Sequence, residues 1–161
     1  MEKLSDYSIF QNHAIGAHAL WEFARHYEEY SESKEAPVLL LAMPVLPIVF
    51  NKRATDCIKG RRMKEGSLIK TITENKDIYS GLQERMELSS DLTFKSVYMA
   101  VSANILIYDR ETTQLIPNRK SEPQIKNYED YVDIMASSRR IGAWFAKLSV
   151  QEITQYFNIK F

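Results

Sequence analysis

The sequence predicts a mainly α-helical fold that carries one short β-hairpin, and two observations lead to this prediction. Apolar residues recur at spacings of three and four along several stretches, as they do on the buried face of a helix. Residues 105–117 instead contain two short runs of strand character, separated by a polar turn. The hairpin follows directly on a predicted helix, so the two elements are expected to form one structural unit.

That helix begins near Ser90, and its predicted apolar face consists of Phe94, Val97, Tyr98 and Val101. Asn104 is predicted to end it, because asparagine tolerates the left-handed conformation found at many helix C-termini. A polar turn at 109–113 and a returning strand closed by Pro117 complete the hairpin. Two short helices are predicted between residues 67 and 88. Three helices followed by a hairpin is the order of a winged helix-turn-helix, so we predict a winged-helix-like part at 67–117.

The first half of the chain is predicted to be helical as well. Asn12 is a candidate cap for an amphipathic helix that continues to about Tyr30. Residues 36–50 are apolar on every side and contain Pro44 and Pro47, so we expect two short buried helical pieces separated by a break. A short helix is predicted at about 53–59.

After a polar connector at 118–127, the last long helix is predicted from about Tyr128 to Leu148. Ser138 and Gly142 place two small residues four apart on it, which lets another backbone approach closely. Ser149 followed by Glu152 is a capping box, so a further helix is expected to begin there.

The composition suits one domain with a complete core. With 161 residues, 45% of them hydrophobic and 26% charged, we expect a single domain over 1–161. The 21 basic residues balance 21 acidic ones, so the overall charge indicates neither nucleic acid nor a membrane as partner. The charge is uneven locally: residues 51–70 carry seven basic and two acidic side chains, whereas residues 1–36 carry three and seven.

The sequence favours a cytoplasmic location. The N-terminal residues are polar and lack the hydrophobic segment of a signal peptide. The longest apolar run, at 36–50, is shorter than the roughly 18 residues that span a bilayer. The single Cys57 cannot form an internal disulfide, which fits a reducing compartment. We therefore expect no membrane contact.

No group of residues has the spacing of a catalytic or cofactor site. His13, His18 and His26 are separated by five and eight residues, whereas two ligands on one helix face are about four apart. The sequence has no GxxxxGK[ST] or GxGxxG loop for a nucleotide phosphate. Cys57 has no histidine near it in sequence, so an incidental thiol is the simpler interpretation. We expect no enzymatic activity, no cofactor and no metal.

The best candidates for a binding surface are cationic. The basic run from Lys52 to Lys70 could contact phosphate or an acidic protein surface, although a solvated loop would carry the same charges. Arg140 precedes Trp144 by one helical turn, so its guanidinium can lie over the indole, either as a structural contact or as an interface anchor. We predict a partner-binding set of Arg61, Arg62, Arg139, Arg140 and Trp144.

Four segments carry a family resemblance: FQNHAIGAHALWEFARHYEEY, PVLLLAMPVLPIVFNKRATDCI, SLIKTITENKDIYSGLQERM and SSRRIGAWFAKLSVQEITQYFNI. In order and spacing they resemble the middle component of the bacterial three-component ABC-ATPase (ABC-3C) conflict systems, of which Menshen is an example. The proline-broken run before NKRAT and the RRIGAWFA segment are the most specific, because a generic winged helix requires neither.

This resemblance covers residues 12–159 and implies a function. In such systems a small, non-catalytic middle protein is encoded between an ABC ATPase and a variable third protein. The expected function is an adaptor that links these two proteins in an anti-phage defence complex. Any contact with DNA would be indirect, through the complex.

The alternative is a winged-helix DNA-binding regulator. Such a protein places its third helix in the major groove and its wing on phosphates, so both need cationic or amide side chains. The charged residues predicted there are Asp91, Lys95, Asp109, Arg110 and Glu111, with a net charge of −1. This surface would repel the DNA backbone, so we favour the adaptor.

Overall fold

The computed structural model describes residues 13–120 and 129–161, which form helices and one small antiparallel hairpin. The first helices are α1 (His13–Tyr30), α2 (Leu39–Ala42), α3 (Val45–Val49), α4 (Lys52–Ile58), α5 (Glu65–Glu74), α6 (Leu82–Leu88) and α7 (Ser90–Ser102), with a 3-10 turn at Lys76–Ile78. The strands β1 (Leu106–Tyr108) and β2 (Leu115–Pro117) and the helices α8 (Glu129–Phe145) and α9 (Val150–Phe157) follow. The predicted cap Asn12 and most of the predicted connector at 118–127 lie outside the described residues.

Helix α1 is the centre of the fold, because α7 and α8 both pack on it along much of its length. Its buried residues are Ile15, Gly16, Ala17, Ala19, Leu20, Trp21, Glu22, Phe23, Ala24 and His26. These residues cover most sides of the helix, so α1 is more deeply buried than its amphipathic sequence predicts. Even the carboxylate-bearing Glu22 is buried, with 7% of its surface exposed.

Two glycines allow the helices to approach α1 closely. A Cβ atom added to Gly16 of α1 would collide with the hydroxyl of Ser96 on α7. A Cβ atom added to Gly142 of α8 would collide with the carbonyl oxygen of Phe23 and would lie 3.1 Å from the amide nitrogen of Tyr27. The predicted close backbone approach at Gly142 is therefore confirmed, and α1 is its partner.

The apolar segment at 36–50 forms two short helices, as predicted. Pro44 precedes α3, and Pro47 lies within its first turn, where a missing amide donor costs little. Val45, Leu46, Ile48 and Val49 of α3 are almost completely buried. The segment is thus part of the core, which explains why it is apolar on every side.

The predicted end of the third helix and the hairpin are also confirmed. Asn104 has a φ of 58°, in the left-handed region. The amide of Ile105 donates to the carbonyl of Ala100 and the amide of Asn104 donates to that of Val101, which is the Schellman pattern. In the hairpin that follows, Leu106 pairs with Pro117 and Tyr108 with Leu115.

The prediction that Phe94 and Tyr98 belong to the buried face of α7 is wrong. Phe94 and Tyr98 are 51% and 76% exposed. Helix α7 buries the predicted Val97 and, in place of the aromatic residues, Leu92, Thr93, Ser96 and Ala100. Close packing against Gly16 admits small side chains at this interface, so the helix turns its aromatic residues to solvent.

The winged-helix interpretation stays a prediction. The expected helices and hairpin are present, but α7 packs mainly on α1, which lies outside residues 67–117. The hairpin also pairs outside that range: Val38 forms an antiparallel bridge with Gln114, and the amide of Leu39 donates to the carbonyl of Thr113 at 2.8 Å.

The positions of α8 and α9 agree closely with those predicted from the sequence. Helix α8 extends to Phe145, slightly short of the predicted Leu148. In the capping box the Glu152 amide donates to the Ser149 hydroxyl at 3.1 Å, and the Ser149 amide donates to the Glu152 carboxylate at 2.7 Å. The capping box predicted from the sequence is therefore confirmed.

The close contact at Gly142 predicts a specific sensitivity. Gly142→Ala should destabilise the protein by about 1 to 3 kcal/mol, because the added methyl group meets backbone atoms of α1 that have no freedom to rotate away. Gly66→Ala in α5 is the matched control, since nothing lies within 4 Å of its Cβ position. Chemical denaturation measures both, and equal stability of the two variants would contradict close packing at Gly142.

Candidate partner-binding surfaces

Four of the five predicted binding residues meet where α8 passes the loop at 59–64. The Arg140 guanidinium donates to the carbonyl of Arg61 at 2.6 Å and to that of Ala136 at 2.7 Å. The Trp144 indole donates to the carbonyl of Arg62 at 3.0 Å. Two successive carbonyls of the loop are therefore held by two side chains of one helix.

Trp144 contributes to this site from within the protein. Its side chain is 1% exposed, so the indole presents almost no area to a partner. The expected stacking of Arg140 over Trp144 is replaced by hydrogen bonds from both side chains to the loop. The guanidinium that lies over an indole is instead that of Arg25, 5.0 Å from the ring centre of Trp21.

The loop and α8 form a concave surface, which we call the basic cleft. It is lined by Tyr30, Gly60, Arg61, Arg62, Met63, Lys64, Arg140 and Lys147. Five of these residues are cationic and none is acidic. Arg61 reaches out of the cleft to the Glu74 carboxylate at 2.8 Å, whereas Arg62, Lys64 and Lys147 are exposed. The basic run predicted from Lys52 to Lys70 supplies Arg61, Arg62 and Lys64 to the cleft. Lys147, which follows α8, was not predicted from the sequence.

Arg139 lies in a different environment from Arg140. Its guanidinium is 2.7 Å from the carboxylate of the buried Glu22 on α1, which also contacts Arg25 at 3.2 Å. Burial alone would raise the pKa of Glu22, but the hydrogen bond and charge of Arg139, with help from Arg25, hold this pKa below its usual value. In this structure Arg139 therefore neutralises a buried internal charge.

A second concave surface, which we call the apolar groove, lies between α2, α6, α7, the hairpin and the residues after α9. It is lined by Leu39, Leu40, Met43, Gln83, Met86, Glu87, Ser90, Phe94, Tyr108, Thr113, Lys160 and Phe161. Leu40 and Phe94 are 43% and 51% exposed, and Tyr108 and Phe161 are also exposed. Exposed apolar clusters of this kind are typical of protein interaction sites.

The apolar groove is not apparent from the helical spacing, because that spacing places Phe94 and Tyr98 on the predicted buried face of the helix. A usable signal was present. Thr93, Ser96 and Ala100 recur at spacings of three and four, so they form a small-residue face that can pack as closely as Gly16 allows. If this face is buried, the aromatic residues must point to the opposite side.

His18 and His26, two of the remaining candidate groups, have structural partners. His18 Nδ1 lies 3.3 Å from the hydroxyl of Tyr131, and His26 Nδ1 lies 3.0 Å from the carbonyl of Glu22. Burial lowers the pKa of both histidines. Burial, followed by the charge of Asp77, raises the pKa of the Cys57 thiol, which disfavours the reactive thiolate.

Over residues 13–120 and 129–161, no helix combines the length and the apolar character needed to cross a membrane. The described chain is thus mainly helical with a small hairpin, and its concave surfaces include the basic cleft and the apolar groove, which differ in chemistry. Residues 2–161 match the model of a protein family described as the ABC-three component (ABC-3C) system Middle Component 3. Since the match covers almost all of the sequence, the chain belongs to this family. No curated protein and no solved structure matches it significantly.

The contact between Trp144 and the loop can be tested by removing its donor. Trp144→Phe keeps an aromatic ring but leaves the Arg62 carbonyl without the indole, so we expect a loss of about 1 to 3 kcal/mol. Amide hydrogen exchange in residues 59–64 should also become faster. Trp21→Phe is the matched control, because its indole donates to Asn118 instead. If the amides of the loop exchanged at the same rate in both variants, Trp144 would not be what holds the loop in place.

The histidine pKa shifts predict that stability falls in weak acid. Because the pKa values of His18 and His26 lie below the ordinary 6.5 in the folded state, the unfolded chain binds more protons as the pH falls. The stabilisation is complete above about pH 6.5 and is lost below it. Glu22 adds to the loss below its ordinary pKa of 4.5, since its folded pKa is also lowered.

Melting temperatures measured from neutral to weakly acidic pH test this expectation. The wild-type protein should melt at a lower temperature as the pH falls through the histidine range. A His18→Gln/His26→Gln variant should show a smaller decrease over the same range. An unchanged pH dependence in that variant would assign the effect to other groups.

Proposed function

We propose that this protein is a non-catalytic adaptor that links the ABC ATPase of its system to the third component. The observation that carries this proposal is the pair of accessible surfaces: the basic cleft and the apolar groove have no lining residue in common and differ in chemistry. An adaptor needs two such surfaces, because it must hold two partners at once. Membership of a middle-component family agrees with this function.

Within this proposal, Arg62 contacts a partner directly, and Arg61, which is paired with Glu74 at 2.8 Å, adds its charge to the same loop. Arg140 and Trp144 act on binding by fixing the loop that carries them. Arg139 acts through the packing of α1 against α8, since it neutralises Glu22. The proposed setting is a bacterial anti-phage defence complex in the cytoplasm, and DNA contacts this subunit only through the complex.

The alternative function, a winged-helix regulator that binds DNA directly through α7, has less support than the adaptor. Lys95, the basic residue of that helix, forms an ion pair with Asp91 at 2.8 Å. In the hairpin turn the carboxylate of Asp109 accepts the amide of Glu111 at 2.9 Å. A cation that is already paired and a turn with two carboxylates do not favour contact with phosphate.

The apolar groove is the surface to test for docking of an apolar segment from one partner. Phe94→Glu places a charge on its wall and should remove one component from the complex purified after co-expression of all three proteins. Val132→Glu is the matched control, because Val132 on α8 is also 51% exposed but does not line the groove. The control should retain both components, and both variants should stay folded.

One result would contradict the role of the apolar groove, and another would contradict the adaptor function itself. A complete complex with Phe94→Glu would exclude the apolar groove as a docking site. Failure of the wild-type subunit to purify with either component would exclude the adaptor function itself.

A further inference from the structure

We propose that the basic cleft binds a carboxylate-rich segment of one of the two partner proteins. This inference rests on the adaptor function proposed above and names the chemistry of one partner. Its first support is the charge of the cleft, because five of the lining residues that the structure describes are cationic and none of them is acidic. In a chain with equal numbers of acidic and basic residues, such a concentration within a concave surface favours an anionic ligand.

Three of these cations are available to a ligand. Arg61 is paired with Glu74, and Arg140 donates to backbone carbonyls. Arg62, Lys64 and Lys147 are exposed, and none of them forms an ion pair within the part of the chain that the structure describes. A ligand can therefore use their charges without breaking an existing ion pair.

The cleft is also preorganised. The carbonyls of Arg61 and Arg62 are held by Arg140 and Trp144, and the amide of Arg61 donates to the carbonyl of Ile58 at 2.9 Å. A loop fixed in this way loses little conformational freedom when a ligand binds, so more of the attraction appears as affinity.

The number of available cations favours a peptide over nucleic acid. Three cations neutralise about three phosphates, which gives a weak, sequence-independent DNA affinity whose logarithm falls with slope about −2.7 against the logarithm of salt concentration. A protein segment can add apolar contacts to its carboxylates, and Met63 and the half-buried Tyr30 line the cleft for such contacts. The planar fork of Arg62 fits a carboxylate with two parallel hydrogen bonds.

The lysines of the cleft allow a direct test in the assembled complex. A carbodiimide joins a lysine amine to a carboxylate with no spacer, so Lys64 and Lys147 should become linked to aspartate or glutamate residues within one segment of a partner. Mass spectrometry identifies the linked residues. Lys120, which is exposed and outside the cleft, serves as the reference lysine. An intact complex in which neither cleft lysine links to a partner would overturn the inference but not the adaptor function.

A binding assay on the purified subunit separates the two kinds of anion. A fluorescent glutamate-rich peptide should bind more tightly than its glutamine counterpart and than short duplex DNA. Arg62→Glu/Lys147→Glu should weaken peptide binding about tenfold or more. Arg53→Glu/Lys120→Glu makes the same charge change outside the cleft and should leave binding unchanged. The inference would be overturned if the cleft variant bound the peptide as tightly as the wild type does, or if the wild type bound the duplex more tightly than the peptide.

Discussion

The close contacts of α1 with two other helices are the constraint on which the rest of the structure depends. Gly16 lets the Ser96 side chain of α7 lie directly against the central helix, and Gly142 brings α8 against the backbone of α1 at Phe23 and Tyr27. The arrangement has a cost, because the hydroxyls of Thr93 and Ser96 are buried with no hydrogen-bond partner among the described residues. Burying a polar group unpaired costs about 1 to 3 kcal/mol, so the packing around α1 must exceed that loss.

The same constraint creates the apolar groove. Since α7 buries its small residues against α1, Phe94 and Tyr98 have to face outward. Leu40 and Phe161 join Phe94 at the surface, although α2 also belongs to the buried apolar segment. The exposed apolar area is thus a direct consequence of tight packing elsewhere, and a partner could bury it without changing the core.

Neighbouring arginines of α8 show how one helix serves the interior and the surface together. Arg139 turns towards α1 and balances the buried charge of Glu22. Arg140 turns towards the loop at 59–64 and holds the carbonyl of Arg61. Adjacent residues on a helix point about 100° apart, so one can neutralise the core while the next organises the basic cleft.

The sequence by itself determined the local structure: the helical stretches, the break at Pro44, the helix end at Asn104, the capping box at Ser149 and the hairpin. Each of these depends on side chains and backbone a few residues apart, so the information is contained in a short stretch. It also indicated the cationic run that includes Arg62. The tertiary structure alone decided that Trp144 is internal, that Lys147 joins the cleft and that Phe94 is exposed. These outcomes depend on which helices meet, and that is set by packing between residues far apart in the chain.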